Sequence, residues 1–163
     1  MPEKKVKTKI EEIAANFLDG EKLKNFLDFN ESLSQKNLSK STTSTGKNGY
    51  QGWAVRYKGS MICHFRAYKD YWFISYFKSV DINECEGLIS DELKEFILEN
   101  IVSPLCQGCK GQNDRIILGK KHEKVCGCHL VHLKNPSGQA LEYAKELVLI
   151  NKAIVDDIAE SKV

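Results

Sequence analysis

The chain has 163 residues, 24 basic and 22 acidic side chains for a net charge of +2, and 42% hydrophobic residues. That length suits one domain, since single cores are commonest at about 100 to 150 residues, and the composition excludes collagen-like, wholly disordered and membrane-spanning classes. The longest uncharged apolar runs, such as Trp72 to Ile74 and Leu147 to Ile150, are far shorter than the ~20 residues that cross a bilayer, and so small a net charge does not by itself announce nucleic acid.

The basic start, Met1 to Lys9, has no apolar segment behind it and does not read as a secretory signal. A cytoplasmic location is expected, where six cysteines point to metal or thiols before disulfides. Residues 1–8 are expected to be flexible. Thr8 and Glu11 then have capping-box spacing, and Ile10, Ile13, Ala14, Phe17 and Leu18 recur at helical intervals, so a helix is predicted over about 9–18 with Gly20 ending it. Leu23, Phe26, Leu27 and Leu33 mark a second helix over about 21–33. Residues 34–49 are almost wholly Ser, Thr, Lys, Asn, Gln and Gly and are predicted as a polar loop. Thr45-Gly46-Lys47 within it is no phosphate loop, because Ser41 and Asn48 stand where that motif needs Gly and Ser or Thr.

Ten of the fifteen aromatic residues fall between Tyr50 and Phe77, a composition that favours pleated sheet. Three antiparallel strands are predicted near 51–56, 60–67 and 71–78. A three-residue Tyr57-Lys58-Gly59 loop would set Trp53 opposite Cys63 and Val55 opposite Met61, giving an inward face of Trp53, Val55, Met61, Cys63 and Phe65. Ser90 with Asp91 and Glu92 starts a helix running to about 102, and two short strands follow near 115–118 and 129–133. A last long helix is predicted from Asn135-Pro136-Ser137-Gly138 to about Glu160, with a wide apolar stripe through Leu147, Ile150 and Ile154. Leu149 lies on its polar side. The expected fold is a single α+β domain over 1–163: an antiparallel sheet of three or more strands, covered on one face by helices, with a long C-terminal helix and a Cys-rich loop at 104–134.

That loop carries the most specific motif, Cys106-Gln-Gly-Cys109 followed after sixteen residues by Cys126-Gly-Cys128. Two close cysteines on a Gly-containing turn direct both sulfurs to one point, and two such turns make a tetrahedral thiolate site. The spacing is that of a zinc ribbon, except that the second pair is C-x-C rather than C-x-x-C, so His129 or His132 is an alternative fourth ligand. Zinc is the expected metal, although thiolate tetrahedra accept iron as well. A thiol redox role fits less well, because Cys106 follows Pro104 and the end of a helix instead of opening one. Six basic residues and two acids lie between 105 and 135, which keeps nucleic acid as an alternative partner.

Catalytic signals are few. Cys63 and His64 are adjacent on one strand and point to opposite faces, and the acidic neighbours of Cys85 raise a thiol's pKa rather than lower it. The outward sheet face is richer: Arg56, His64 and Arg66 cluster there with Trp72 and Tyr76 or with Phe73 and Phe77, and the expected ligand-binding set is Arg56, His64, Arg66, Trp72 and Tyr76. Arginines among aromatics suit an anionic or planar ligand.

The run from Leu23 through Trp53-Ala-Val-Arg-Tyr57, the hairpin to Ile74, Asp91-Glu-Leu-Lys-Glu-Phe96 and the closing helix resembles the small bacterial α+β domains grouped as YdhG-like, over about residues 20–160. The resemblance implies a two-layer fold and no catalytic residue, and the cysteine loop departs from it. The expected function is therefore a non-enzymatic cytoplasmic binding module with a structural zinc, recognising a small ligand or a protein, with a nucleic-acid-associated protein as the alternative and no membrane partner.

Overall fold

Aromatic and β-branched residues alternating from Gln51 to Phe77 form three consecutive strands, and the chain adds one at each edge of this sheet. The computed structural model describes residues 9–43, 49–77, 81–102, 113–126 and 128–161. Its strands are β1 (Ser39–Thr43), β2 (Gln51–Tyr57), β3 (Ser60–Tyr68), β4 (Tyr71–Phe77), β5 (Asn113–Ile117), β6 (Lys120–Val125) and β7 (His129–Lys134). A five-stranded antiparallel sheet runs in the order β1-β2-β3-β4-β7, and β5 pairs with β6 as a separate hairpin. The helices are α1 (Ile10–Ala14), α2 (Gly20–Ser34), α3 (Asp91–Glu99) and α4 (Gly138–Glu160), with a 3₁₀ segment at Ile82–Leu88.

Several boundaries differ from the sequence expectation. Gly20 opens α2 rather than ending the first helix, and Ser39–Thr43, inside the expected polar loop, forms the edge strand β1 against β2. An edge position suits such a sequence, because its side chains remain exposed or half-buried and need no apolar face. The strand β6 was not legible, since Lys120 to Lys124 offers no apolar residue to set a period.

The turn after β2 corrects the register. Lys58 and Gly59 form a two-residue turn, with positive φ of 46° and 83°, that places Tyr57 opposite Ser60. Both φ values suit the left-handed turn that matches strand twist, and glycine adopts the second without strain. Alone, this turn would send Trp53 to the same face as His64. A bulge opposite Val55 and Arg56, where β3 carries Ile62 as an extra residue between Met61 and Cys63, restores the alternation, so Trp53 pairs with Phe65 and Val55 with Cys63. Trp53, Val55, Cys63 and Phe65 thus share the inward face as expected, whereas Met61 pairs with Arg56.

The core lies between this face and the helices. Phe26 of α2 is fully buried, its ring centroid 5.5 Å from Trp53, 5.3 Å from Phe65 and 5.4 Å from Trp72. α4 closes the same face with Leu141, Ala144, Leu147 and Val148, and the Tyr76 hydroxyl donates to the Ala144 carbonyl. Asn30 on α2 donates to Glu11 on α1 at 3.0 Å. α3, capped by Ser90 as expected, packs on α4 through Phe96 and Tyr143, 5.0 Å apart. Leu149 is 47% exposed on the polar side of α4. Among the described residues no helix is long and apolar enough to cross a membrane.

Candidate functional site

With the register fixed, each strand assigns alternate residues to the face away from the helices. One rung across the sheet reads Thr43, Gly52, Arg66, Phe73, Lys134, and the next reads Ser41, Ala54, His64, Ser75, His132. Tyr68 and Tyr71 pair just beyond them. None of these positions is a carboxylate.

The structure therefore divides the expected ligand-binding set. His64 and Arg66 lie half-buried on the outward face, and Arg56 lies exposed near them. Trp72 and Tyr76 do not join them. They fall on the inward face with 0% and 2% exposure, because they alternate with Phe73 and Ser75, which take the outward positions. The face uses a different aromatic set. Tyr50 stacks on Tyr68 at 4.9 Å, and Tyr68 on Tyr71 at 4.7 Å and on Phe73 at 5.3 Å, all within 28° of parallel. Cations occupy the remaining ring faces: Arg66 lies over Tyr50 and Phe73 at 5.3 and 5.7 Å, and Lys134 over Tyr71 at 4.7 Å.

Arg66 reaches this position because residue 52 has no side chain. A Cβ on Gly52 would stand 2.5 Å from Thr43 Oγ1 and 3.0 Å from Arg66 Cγ. The guanidinium donates to the Tyr68 hydroxyl, yet among the described residues its buried Nε has no hydrogen-bond partner and Arg66 makes no ion pair.

Beside Arg66 a cleft of about 220 Å³ opens between the sheet and the segments flanking the hairpin, lined by Arg66, Phe73, Ser75, Val102, Cys126, His129 and His132. Its far wall is fixed by the Cys126 amide, which donates to the Val102 carbonyl at 3.2 Å. Buried Ser75 is bonded through Oγ to His132 Nδ1 at 3.0 Å, and the His132 ring packs on Phe73 with centroids 4.3 Å apart. Burial and the nearby Arg66, His129 and Arg56 hold His64 down at a pKa of about 4. Burial, then Arg66, also lowers His129. His132 is exposed as a residue, but partial burial of its ring, followed by His129 and Arg66, lowers it too. These imidazoles are therefore neutral at pH 7, and Arg66 carries the fixed charge of the cleft.

Cys126 is buried and Cys128 exposed, whereas Cys106 and Cys109 lie outside the described residues. Among the described residues no group of three or more His, Cys, Asp or Glu side chains is arranged to hold a metal. The two other described thiols are unreactive: burial pushes Cys63 far up, and burial with Glu84 pushes Cys85 up to about 11. A second concavity of about 270 Å³, lined by Asp81, Ile82, Asn83, Arg115, Ile116, Ile117 and Leu130, separates the 3₁₀ segment from the hairpin. Its amide is already engaged, because Asn83 donates to the Ile116 carbonyl and accepts from the Leu118 amide.

The chain matches no family model, no curated protein and no solved structure. The functional reading therefore rests on this geometry. The tyrosine ladder was missed in the sequence because Tyr50, Tyr68 and Tyr71 sit at or beside strand ends. The short turn between β3 and β4 pairs Tyr68 with Tyr71, and the β2–β3 register, with Gln51 opposite Ala67, brings Tyr50 to Tyr68.

Proposed function

We propose that this chain is a non-enzymatic binding module that captures an anionic group, carried by a small ligand or a protein, on the open face of its sheet. The observation that carries the reading is Arg66: a guanidinium held between aromatic rings, with one buried donor unpartnered, at the mouth of a cleft without a carboxylate. A buried donor left unmatched costs about 1–3 kcal/mol, and an anion relieves it. Nucleic acid fits this face less well. Base recognition relies on open aromatic surfaces, and here the rings stack on one another or lie under cations.

A structural zinc at Cys106, Cys109, Cys126 and Cys128 belongs to the same proposal. Asn113 pairs with Val125 at the open end of the hairpin. Cys126 follows Val125 directly, and Cys109 precedes Asn113 by four residues, a stretch of at most about 14 Å. Both cysteine pairs are thus tethered to one end of a two-stranded hairpin, as ligands of a ribbon-type site would be. Cys126 also lines the cleft, so the metal would brace that wall. The expected location is cytoplasmic.

Two measurements test this reading. A thermal-shift screen of anionic metabolites, phosphopeptides and short oligonucleotides at low salt should find a stabilising anion, since a ligand at 100 times its Kd adds about 2.7 kcal/mol. The Arg56→Ala, Arg66→Ala double variant should lose that response, and a flat response to every anion rejects the module. Elemental analysis should find about one zinc per chain, and chelation should release the hairpin while sheet and helices persist, because thiolate coordination supplies folding energy locally. Cys128→Ser should weaken zinc sharply, whereas an unchanged affinity would move the fourth ligand to His129 or His132. A metal-free protein with a Cys106–Cys109 disulfide would end the zinc reading.

A further inference from the structure

We infer that the group received beside Arg66 is a phosphate monoester rather than a carboxylate, an inference that rests on the anion-binding reading above. Size limits the choice first. Sites for whole drug-sized ligands run to about 300–1,000 Å³, so a cleft of about 220 Å³ holds a small terminal group and leaves the rest of the ligand outside.

Donor arrangement decides between the two anions. Arginine alone does not, because its planar fork matches both. A carboxylate, however, accepts in one plane through two oxygens, while a phosphoryl group spreads three oxygens over a hemisphere and carries about −1.5 to −2 charges at pH 7. The cleft collects its polar groups from three adjacent strands: Arg66 from β3, Ser75 from β4, and His129 and His132 from β7.

The Ser75–His132 bond adds a donor in either tautomer. If Nδ1 accepts from the hydroxyl, Nε2 carries the proton. If Nδ1 donates, the hydroxyl hydrogen is released for another acceptor. The pair can therefore present a donor to an oxyanion such as phosphate whichever tautomer it adopts. Arg66 is also held in place before any ligand arrives, by Tyr50, Phe73 and Tyr68 and by the gap at Gly52, which reduces the ordering cost of binding.

The test uses the intact, zinc-replete chain with labelled histidine rings, titrated at constant ionic strength with inorganic phosphate, a nucleoside monophosphate, a phosphoserine peptide and acetate. Phosphate and its esters should move the His132 and His129 ring resonances to saturation, with acetate weaker by about tenfold or more, or ~1.4 kcal/mol. Arg66→Gln, with its fold checked by the backbone spectrum, should cut phosphate affinity by about tenfold. Ser75→Ala should cut it by a smaller factor and serves as the variant if Arg66→Gln does not fold. Tighter binding of one ester names the natural carrier, and equal binding of all three phosphates assigns recognition to the phosphoryl group alone; both outcomes support the inference. Acetate binding as tightly as phosphate in an Arg66-dependent manner would overturn the phosphate class and leave the anion module standing. No saturable, Arg66-dependent response to any anion would overturn both.

Discussion

The two faces of the five-stranded sheet are both aromatic, and they use their rings in opposite ways. On the helix side, Trp53, Phe65 and Trp72 surround Phe26 of α2 within 5.5 Å, are 0–1% exposed, and meet the Phe26 ring at 50–78°, while Trp53 and Phe65 stack on each other at 24°. On the other side, Tyr50, Tyr68, Tyr71 and Phe73 stand nearly parallel, half-buried, with Arg66 and Lys134 against their faces. Helices remove water from the first set, so hydrophobic burial governs it. Among the described residues no helix covers the second set, so charge and hydrogen bonding govern it. Aromatic residues one position apart on a strand, such as Trp72 and Phe73, are core or site according to what lies above them.

The sharpest way to break this comparison is to remove one ring from each side. Phe26→Ala empties the centre of the core and should cost about 3–5 kcal/mol, read as a lower denaturation midpoint. Phe73→Ala removes a half-exposed ring whose pair interactions are worth about 0.5–1.5 kcal/mol each, and it should alter anion binding more than stability. Equal losses from the two substitutions would mean that the outward rings are a second core.

The helix side was legible in the sequence because its signals are local. Period-two alternation put Trp53, Val55, Cys63 and Phe65 together, and the 3.6-residue stripe through Leu147, Ile150 and Ile154 faced them. The open face was legible only in part. Arg56, His64 and Arg66 follow from β2 and β3, which one turn joins, but which half of β4 faces them depends on register. The pairing of Arg66 with Phe73 assigns Trp72 and Tyr76 to the core. The bulge at Ile62, opposite Val55 and Arg56, left no local signature, since nothing in Met-Ile-Cys marks an extra residue. His129 and His132 reach the cleft through β7, which pairs with β4 across more than fifty residues of chain, and Cys126 reaches it through the hydrogen bond from its amide to Val102. Spacing rules do not extend that far.

A finer test separates the gap at Gly52 from the arginine it accommodates. Gly52→Ala places a methyl 2.5 Å from Thr43 Oγ1 and 3.0 Å from Arg66 Cγ, and overpacking of this kind costs about 1–3 kcal/mol. Both neighbours are side-chain atoms, so the strand should hold its register while Arg66 swings out of the ring sandwich. The expected result is a modest loss of stability with a disproportionate loss of anion affinity. Full affinity in Gly52→Ala would show that the confined position of Arg66 is not required.

The smallest expected effect concerns acid, and it also separates the faces, because the groups that respond lie on the open side. Burial first, then the neighbouring Arg66, His129 and Arg56, hold His64 at a pKa of about 4, below the ordinary 6.5 of an unfolded histidine. Between these values the unfolded chain binds the proton and the folded chain does not, so ν_U exceeds ν_N and stability rises with pH. The contribution is complete above about pH 6.5, falls as pH drops toward 4, and reaches its floor once both states are protonated. A half-buried group exchanges its proton partly with water, so the effect should be well below that of the core substitution. Denaturation midpoints of the wild type and His64→Gln, measured from pH 7.5 to 4, should differ in slope over this window, with the variant flatter. Identical slopes would mean that neither burial nor the positive surroundings act on His64, and they would weaken the picture of a face whose fixed charge awaits an anion.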